Sequence, residues 1–275
     1  MPAPPPASDG VTLRRVATLA EYAECVAIQY ETWGADFREA VPAAILMVSQ
    51  KIGGVTAGAF GPGGRMLGFV FGMTGVKDGR LVHWSDLLAV RPEARRLGLG
   101  TRLKHYQREL LLEAGVERMY WTYDPLVARN AHLNLVRLGA RVAEYVPDMY
   151  GTSTGSVLHG DMGTDRFVVE WELGGADAPR PSALGPRPSA ASHAPVVNAP
   201  DRPGGRPRVS VLPDVPEALV EIPSDLEALL ASDPARARDW RDTTRETFTW
   251  YLGRGYEVVG LVERDARTFY ELHRR

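Results

Sequence analysis

The stretch from Leu87 to Arg108 constrains the fold of this chain most strongly. It opens with an apolar run, Leu87–Val90, that is followed by Arg91-Pro92 and therefore indicates the end of a buried strand. It closes with four residues at helical spacing, Leu99, Leu103, Tyr106 and Leu110. Between these segments, Gly98 and Gly100 allow a tight turn and a close backbone approach to a ligand. The sequence therefore predicts a strand, a glycine-rich turn and a helix in succession.

A turn of this kind is suited to bind an anion. The first amides of a helix have no partner within the helix, and the helix dipole is positive at that end. Residues 91–108 hold one acid, Glu93, and six cations, which indicates a polyphosphorylated anion; the cations are Arg91, Arg95, Arg96, Arg102, Lys104 and Arg108. Two common nucleotide motifs fail, because Leu103 stands three residues after Gly100 and because no Ser or Thr follows Lys104. For a G-x-G pattern taken alone, a structural turn with a solvated basic face is the alternative.

The fuller string is Val90-Arg91-Pro92 followed by Arg95-x-x-Gly98-x-Gly100, and it resembles the acyl-CoA pyrophosphate loop of the GNAT acyltransferase superfamily. The resemblance implies that the loop amides bind the pyrophosphate of coenzyme A and that the preceding strand contacts its pantetheine arm. It also implies acetyl-CoA or another acyl-CoA as co-substrate. The residues expected to bind it are Leu88, Ala89, Val90, Arg95, Arg96, Leu97, Gly98, Leu99, Gly100, Thr101 and Asn130.

The predicted order of elements in residues 11–173 agrees with this resemblance. It is β-α-α-β-β-β-α-β-α-β-β, with strands at 11–17, 55–60, 66–73, 81–90, 118–123, 141–149 and 166–173. A capping box, Thr18-x-x-Glu21, starts the first helix, and Pro42 starts the second. The helix faces predicted to be apolar are Tyr22, Val26, Tyr30 and Trp33 in the first, and Ile45, Ser49 and Ile52 in the second. The implied fold is α/β (α+β), a mixed and mostly antiparallel sheet flanked by helices.

The remaining chain is divided by composition. Residues 1–10 are proline-rich and predicted to be a disordered leader, and residues 174–207 are rich in Pro and Gly and are predicted to be a linker. Residues 208–275 form a small α+β segment with strands at 209–212 and 220–222, a helix capped by Ser224, a helix at 235–252 and a hairpin at 256–263 and 268–272. It is either a degenerate half-repeat of the first domain or an unrelated tail.

The aromatic residues of this C-terminal segment indicate that it docks on residues 1–173 of its own chain or of a partner. Arg238, Arg241 or Arg245 would then meet a carboxylate on the substrate.

Asp86 is the candidate general base. It precedes Val90 by four residues, where GNAT members often place a strand Glu, and strand alternation puts it on one face with Trp84, Leu88 and Val90. Burial beside tryptophan would raise the pKa of its carboxyl group. A purely structural Asp is the alternative.

Other site residues follow from the resemblance. Asn130 matches the Asn that contacts the pantetheine region, with helix capping as the alternative. Leu135 stands where many members have a Tyr that serves as general acid, so Tyr123, Tyr145, Tyr150 or solvent must take that role. Cys25 falls in a helix without a paired His and is predicted to be a core residue.

Composition limits the function classes. The 275 residues are 44% hydrophobic, and the net charge of −2 argues against nucleic acid as a partner. One cysteine excludes an internal disulfide framework, and the sequence shows neither a long apolar run nor a signal peptide, so we expect a cytoplasmic protein without a membrane partner.

The six histidines lack metal-ligand spacing, so we expect no metal. The sequence therefore predicts an acyl-CoA-dependent N-acyltransferase, with acetyl or succinyl donors, that acts on a small-molecule amine. A non-catalytic acyl-CoA-binding or assembly module is the alternative, and a homodimer is left open.

Overall fold

A computed structural model describes residues 10–152, 154–156, 162–174, 194–200, 202, 204–209 and 211–275. The expected leader, apart from Gly10, and most of the expected linker lie outside the described residues. The chain divides into two compact units, residues 1–119 and residues 120–275.

The first unit is an antiparallel sheet with helices. Its elements are β1 (Thr12–Arg15), α1 (Leu19–Trp33), α2 (Ala43–Lys51), β2 (Val55–Phe60), β3 (Met66–Lys77), β4 (Arg80–Val90), a 3₁₀ helix (Pro92–Leu97) and α3 (Leu99–Glu113). The four strands pair in chain order, each antiparallel to the next. The helices α1 and α2 pack a shared core against this sheet, with Ile28 and Leu46 meeting Phe69 and Phe71.

The start of α1 is as predicted, but its buried face is not. Thr18 and Glu21 form the full capping box. The buried residues are Tyr22, Cys25, Ile28 and Gln29, whereas Tyr30 is exposed. The face is rotated because Gln29 is held inside by hydrogen bonds to the backbone of Val41, to its carbonyl at 3.0 Å and from its amide at 2.7 Å. The prediction that Cys25 is a core residue is confirmed.

The prediction for the buried face of α2 is also wrong in part. Ser49 is buried as expected, but Ile45 and Ile52 are exposed and Leu46 takes the inner position. A hydrogen bond explains this orientation of α2, since the Ser49 hydroxyl donates to the carbonyl oxygen of Gly72 on β3 at 3.1 Å. That bond fixes which side of α2 faces the sheet.

The second unit carries strands of two sheets. Its elements are β5 (Arg118–Tyr123), which begins just before the boundary, α4 (Ala128–Ala131), a π-helix (His132–Arg137), β6 (Arg141–Val146), β7 (Arg166–Glu172), β8 (Glu217–Ile222), α5 (Leu226–Ser232), α6 (Pro234–Leu252), β9 (Tyr256–Arg264) and β10 (Arg267–Arg274). β6 and β7 are antiparallel, and β10 lies between β8 and β9 in the other sheet. The element order predicted for residues 11–173 is confirmed.

The C-terminal segment departs from the predictions in two places. The described residues of 209–212 form no strand, and Asp225 rather than Ser224 caps α5, accepting from the amide of Ala228 at 2.9 Å. The helix at 235–252 and the hairpin that follows it are confirmed.

The C-terminal segment packs on residues 120–173 of its own chain. Phe248 of α6 and Tyr270 of β10 contact Phe167 of β7, with ring centroids 4.7 and 5.3 Å away. The hydroxyl of Tyr270 lies 2.8 Å from the carbonyl oxygen of Pro125. Within the second unit, the predicted docking is confirmed. None of the helices in the described part of the chain is both long and apolar enough to cross a membrane.

Candidate active site

The glycine loop joins β4 to α3 through an unusual backbone conformation. β4 ends at Val90, the 3₁₀ helix follows, and Gly98 then adopts a left-handed conformation with φ 65° and ψ 19°. A Cβ at Gly98 would meet nothing within 4 Å, so conformation and not space requires glycine there. Within the described residues, no side chain caps α3, and its first amides, from Leu99 to Thr101, are placed to donate to an anion.

The cations of the loop divide into exposed and buried groups. Arg95 and Arg96 are exposed on the last turn of the 3₁₀ helix. Arg91 is buried and pairs with Glu24 and Glu31 of α1. Lys104 lies on the buried face of α3. Because they are buried, these two cations are not among those that can face an anion at the surface of the loop.

The other expected coenzyme-binding residues of the loop have mixed exposure. Leu88 and Val90 are half-buried, whereas Ala89 and Leu99 point into the core. Leu97 is exposed, and Gly100 and Thr101 are half-buried in the first turn of α3. Ala89 and Leu99 can contact a ligand through their backbone only.

Asp86 stands at a break in the ladder between β3 and β4. Phe71 pairs with Leu87 and Gly72 pairs with Ser85, so Asp86 is the extra residue of a β-bulge. Bulges re-aim side chains and are frequent beside active sites. Burial raises the pKa of the Asp86 carboxyl group, and Glu39 raises it further, while a hydrogen bond from Trp84 opposes them. A half-buried carboxylate with a raised pKa is suited to accept a proton.

The opposite face of β4 carries a buried hydrogen-bonded chain that sequence reasoning missed. Lys104 Nζ donates to the Ser85 hydroxyl at 2.7 Å, and Ser85 donates to Gln107 Oε1 at 2.8 Å. Gln107 Nε2 lies 3.0 Å from His83 Nε2, and Thr74 Oγ1 lies 3.0 Å from His83 Nδ1.

The chain fixes the tautomer of His83. Thr74 donates to the carbonyl of Gly53 at 2.7 Å, so it must accept from His83 Nδ1–H, and Nε2 then accepts from the Gln107 amide. Burial lowers the pKa of His83 to about 3 and lowers that of Lys104 well below its usual value. We refer to residues 74, 83, 85, 104 and 107 as the neutral chain. It ties the strand that carries Asp86 to the helix that follows the loop.

The expected residues of the second unit lie around the end of β5. Tyr123 is buried, with its hydroxyl 3.3 Å from that of Tyr270. Tyr145 is half-buried and donates to the Asp165 carboxylate. Burial raises the pKa of both phenols. Tyr150 is half-buried, with its hydroxyl 3.1 Å from that of Thr122.

The helix after β5 begins as α4 and becomes a π-helix. Asn130 is half-buried in α4, whereas Asn134, in the π-helix, is buried and accepts from Trp121 Nε1 at 3.0 Å. Leu135 is buried. π-helices are rare in proteins, but those that occur are often found at functional sites.

A cluster of buried ion pairs joins the C-terminal segment to the end of β5, and we call it the ionic cluster. Arg241 donates to Asp124 at 2.5 Å, and Arg166 Nη1 lies 3.8 Å from the same carboxylate oxygen, Oδ2. Arg245 pairs with Asp165 and, at 2.8 Å, with Asp148. The arginines hold the pKa values of Asp124 and Asp165 below their usual range, against the effect of burial.

Two observations explain why the residue at position 163, next to the ionic cluster, is glycine. Its φ of 77° is left-handed, and a Cβ there would lie 2.3 Å from Asp148 Oδ1. A side chain at this position would collide with the pair between Asp148 and Arg245.

No family model matches the chain, and no curated protein matches it. Solved structures do match. YncA from Salmonella typhimurium, with its cofactor acetyl-CoA, is 19% identical, with a TM-score of 0.48, over 62% of this chain and 98% of that one.

Two further solved structures are similar to the chain. The ribosomal-protein-S18-alanine N-acetyltransferase from Escherichia coli is 18% identical over 61% of this chain and 97% of its own, with a TM-score of 0.46. An N-acetyltransferase from Staphylococcus aureus Mu50 is 14% identical over 60% of this chain and 99% of its own, with a TM-score of 0.47. The loop string and the element order give the same likeness. The chain resembles GNAT acetyltransferases.

The sequence contains a signal for some of the buried polar residues that were not predicted. Lys104 and Gln107 interrupt the apolar stripe of α3, whose buried residues are Leu99, Leu103, Lys104, Gln107 and Leu111 rather than the predicted set with Tyr106 and Leu110. A polar residue within an apolar stripe indicates a buried hydrogen-bond partner. No comparable signal marks Asp124 and Arg241, which are 117 residues apart.

Proposed function

We propose that this chain is an acyl-CoA-dependent N-acyltransferase of the GNAT type that transfers an acetyl or succinyl group to the amine of a small molecule such as an amino acid. The observation that carries the proposal is the left-handed Gly98 between the end of β4 and the uncapped start of α3. Exposed Arg95 and Arg96 beside it supply positive charge. Together they suit the pyrophosphate of coenzyme A.

In the proposed reaction the amine nitrogen bonds to the acyl carbon while the carbon–sulfur bond breaks. Asp86 accepts the proton that the amine loses, which its raised pKa and half-buried position favour. The departing sulfur needs a proton, and Tyr123, Tyr145, Tyr150 or solvent supplies it. Tyr145 already donates to Asp165, so its proton is available only when that bond is broken.

This state of Tyr145, together with Leu135 at the usual position of the acid, favours the second candidate, a non-catalytic acyl-CoA-binding module. Release of free thiol from acetyl-CoA or succinyl-CoA with a panel of amines separates the two. A binding module would show affinity for the thioester without amine-dependent release.

The loop is tested with two glycine variants of one helix. Gly98→Ala and Gly115→Ala both force a side chain into a left-handed conformation, and neither Cβ would meet an atom within 4 Å. Both variants should lose about 1 kcal/mol of stability. Only Gly98→Ala should also weaken acetyl-CoA binding by calorimetry, by roughly tenfold, since Gly115 follows the other end of α3. Equal affinities in the two variants would refute the assignment of the loop.

The role of Asp86 as a general base is tested with one variant at Asp86 and one at Glu39. Asp86→Asn should keep acetyl-CoA affinity and lower kcat on the order of a hundredfold. Glu39→Gln removes a negative charge that raises the pKa of Asp86, so the acidic limb of the pH–rate profile should move to lower pH. A structural Asp86 would leave that limb in place.

A further inference from the structure

Arg241 is a buried cation whose donors are only partly used. It lies on α6 with 2% of its surface exposed, and its Nη2 donates to Asp124. Its Nε and Nη1 atoms, which carry three N–H groups, have no hydrogen-bond partner among the described residues. Buried donors of a charged group are costly without an acceptor. None of the described residues supplies that acceptor, so a bound ligand is able to take the role.

The charges around Arg241 favour an anion. Arg166 lies against the same Asp124 carboxylate, so two buried guanidinium groups share one acid. The other buried acid nearby, Asp165, is held by Arg245 and by the hydroxyl of Tyr145. Arg241 therefore shares its carboxylate partner with Arg166, and an anion such as a carboxylate suits its unused donors better than a neutral acceptor.

The shape and polarity of the site agree with this choice. A planar guanidinium with N–H groups in a fixed arrangement suits a planar carboxylate. Arg241 is almost completely buried, and a charge-assisted hydrogen bond is stronger in a buried site than in water.

Half-buried residues lie close to the arginines of the ionic cluster. Tyr150 and Thr122 are half-buried, and the Arg166 guanidinium lies 5.5 Å from the centre of the Tyr150 ring. Arg166 in turn reaches Asp124, and Asp124 reaches Arg241.

We propose that Arg241, with Arg166 beside it, binds a carboxylate group of the amine acceptor, so that the acceptor is an amino acid or a small molecule that contains one. The inference rests on the proposed function and narrows its substrate class. Of the three arginines that the sequence offered, Arg238 is exposed and Arg245 is engaged by two acids. Arg241 alone of the three combines burial with unused donors.

The first experiment uses the unmodified protein and matched pairs of ligands. Each of the twenty L-amino acids and its carboxamide is titrated calorimetrically into the full chain saturated with coenzyme A. At least one acid should bind ten- to hundredfold more tightly than its amide, because the amide lacks the charge. Equal affinity, or no binding, for every pair overturns the proposal.

Variants then locate the effect. Arg241→Met and Arg241→Lys should remove most of the preference for the acid, and Arg238→Met, on the exposed side of the same helix, should keep it. Arg241→Lys retains a cation beside Asp124 and serves if Arg241→Met fails to fold. A preference that persists in Arg241→Lys refutes the role of Arg241. Thiol release is measured separately, so a chain that selects acids but never transfers an acyl group contradicts the proposed function and not the carboxylate site.

Discussion

The two compact units bury polar side chains in opposite electrostatic states. In residues 1–119, the neutral chain contains two bases, His83 and Lys104, whose pKa values burial lowers. In residues 120–275, the ionic cluster keeps Asp124 and Asp165 charged, because arginines lower their pKa values. The neutral chain pairs donors with acceptors along a short stretch of sequence. The ionic cluster instead needs arginines from a helix more than 75 residues further along the chain. The first arrangement is therefore complete within its unit, and the second depends on the C-terminal segment.

Removal of the C-terminal segment should have the largest effect. A chain that ends at Gly174 leaves Asp124 and Asp165 without Arg241 and Arg245 and uncovers Phe167. Stranded buried acids cost about 3–5 kcal/mol each, which is comparable to the total stability of a small domain. The truncated protein should aggregate or melt far below the full chain in thermal unfolding. A soluble monomer with an unchanged Tm would show that the ionic cluster contributes nothing to stability.

The pH dependence of stability separates the two units. Unfolding returns the pKa of His83 from about 3 to its usual 6.5, so below pH 6.5 the unfolded state binds a proton that the folded state does not. Stability should thus fall as pH drops through this window, by about 3 kcal/mol between pH 6.5 and 4. The acids of the ionic cluster have lowered pKa values, so their contribution is lost only below about pH 4.

In chemical denaturation, the variant His83→Gln should lose less stability than the wild-type protein as the pH falls from 6.5 to 4. His105→Gln is the control, because His105 is only half-buried and its pKa is lowered less by burial. If both variants keep the wild-type slope, the neutral chain is not the source of the pH dependence.

Replacement of one basic residue by methionine in each unit should give the smallest effect and the sharpest contrast. Arg245→Met leaves the fully buried Asp165 without its cation and should cost about 2 kcal/mol, less than a fully buried pair because Arg245 is one-third exposed. Lys104→Met removes a basic group whose charged form is disfavoured by burial, and it should change stability by less than about 1 kcal/mol at pH 7. Equal losses of the free energy of unfolding would abolish the distinction between the two units.

Much of the local structure could be predicted from the sequence. The capping box of α1, the strand and glycine turn before α3 and the hairpin of β9 and β10 depend on neighbouring residues, and all are observed. Errors arose where a distant partner decides the outcome. Gln29 and Ser49 face inward because Val41 and Gly72 offer them hydrogen bonds, and hydrophobic periodicity does not record such partners. For the same reason, the sequence pattern offered three arginines for a carboxylate, and contacts with Asp124, Asp148 and Asp165 distinguish them.

The π-helix at His132–Arg137 changes how this chain should be aligned with others. A π-turn arises when one residue is inserted into an α-helix, so positions beyond it are rotated by about 100° relative to an uninterrupted helix. Counting four residues back from Gly139 to Leu135 assumes α-helical turns that this segment does not have. A one-residue deletion here would restore an α-helix and carry Asn134 away from Trp121. Where another protein has an uninterrupted α-helix at this place, its alignment with this chain requires a one-residue gap.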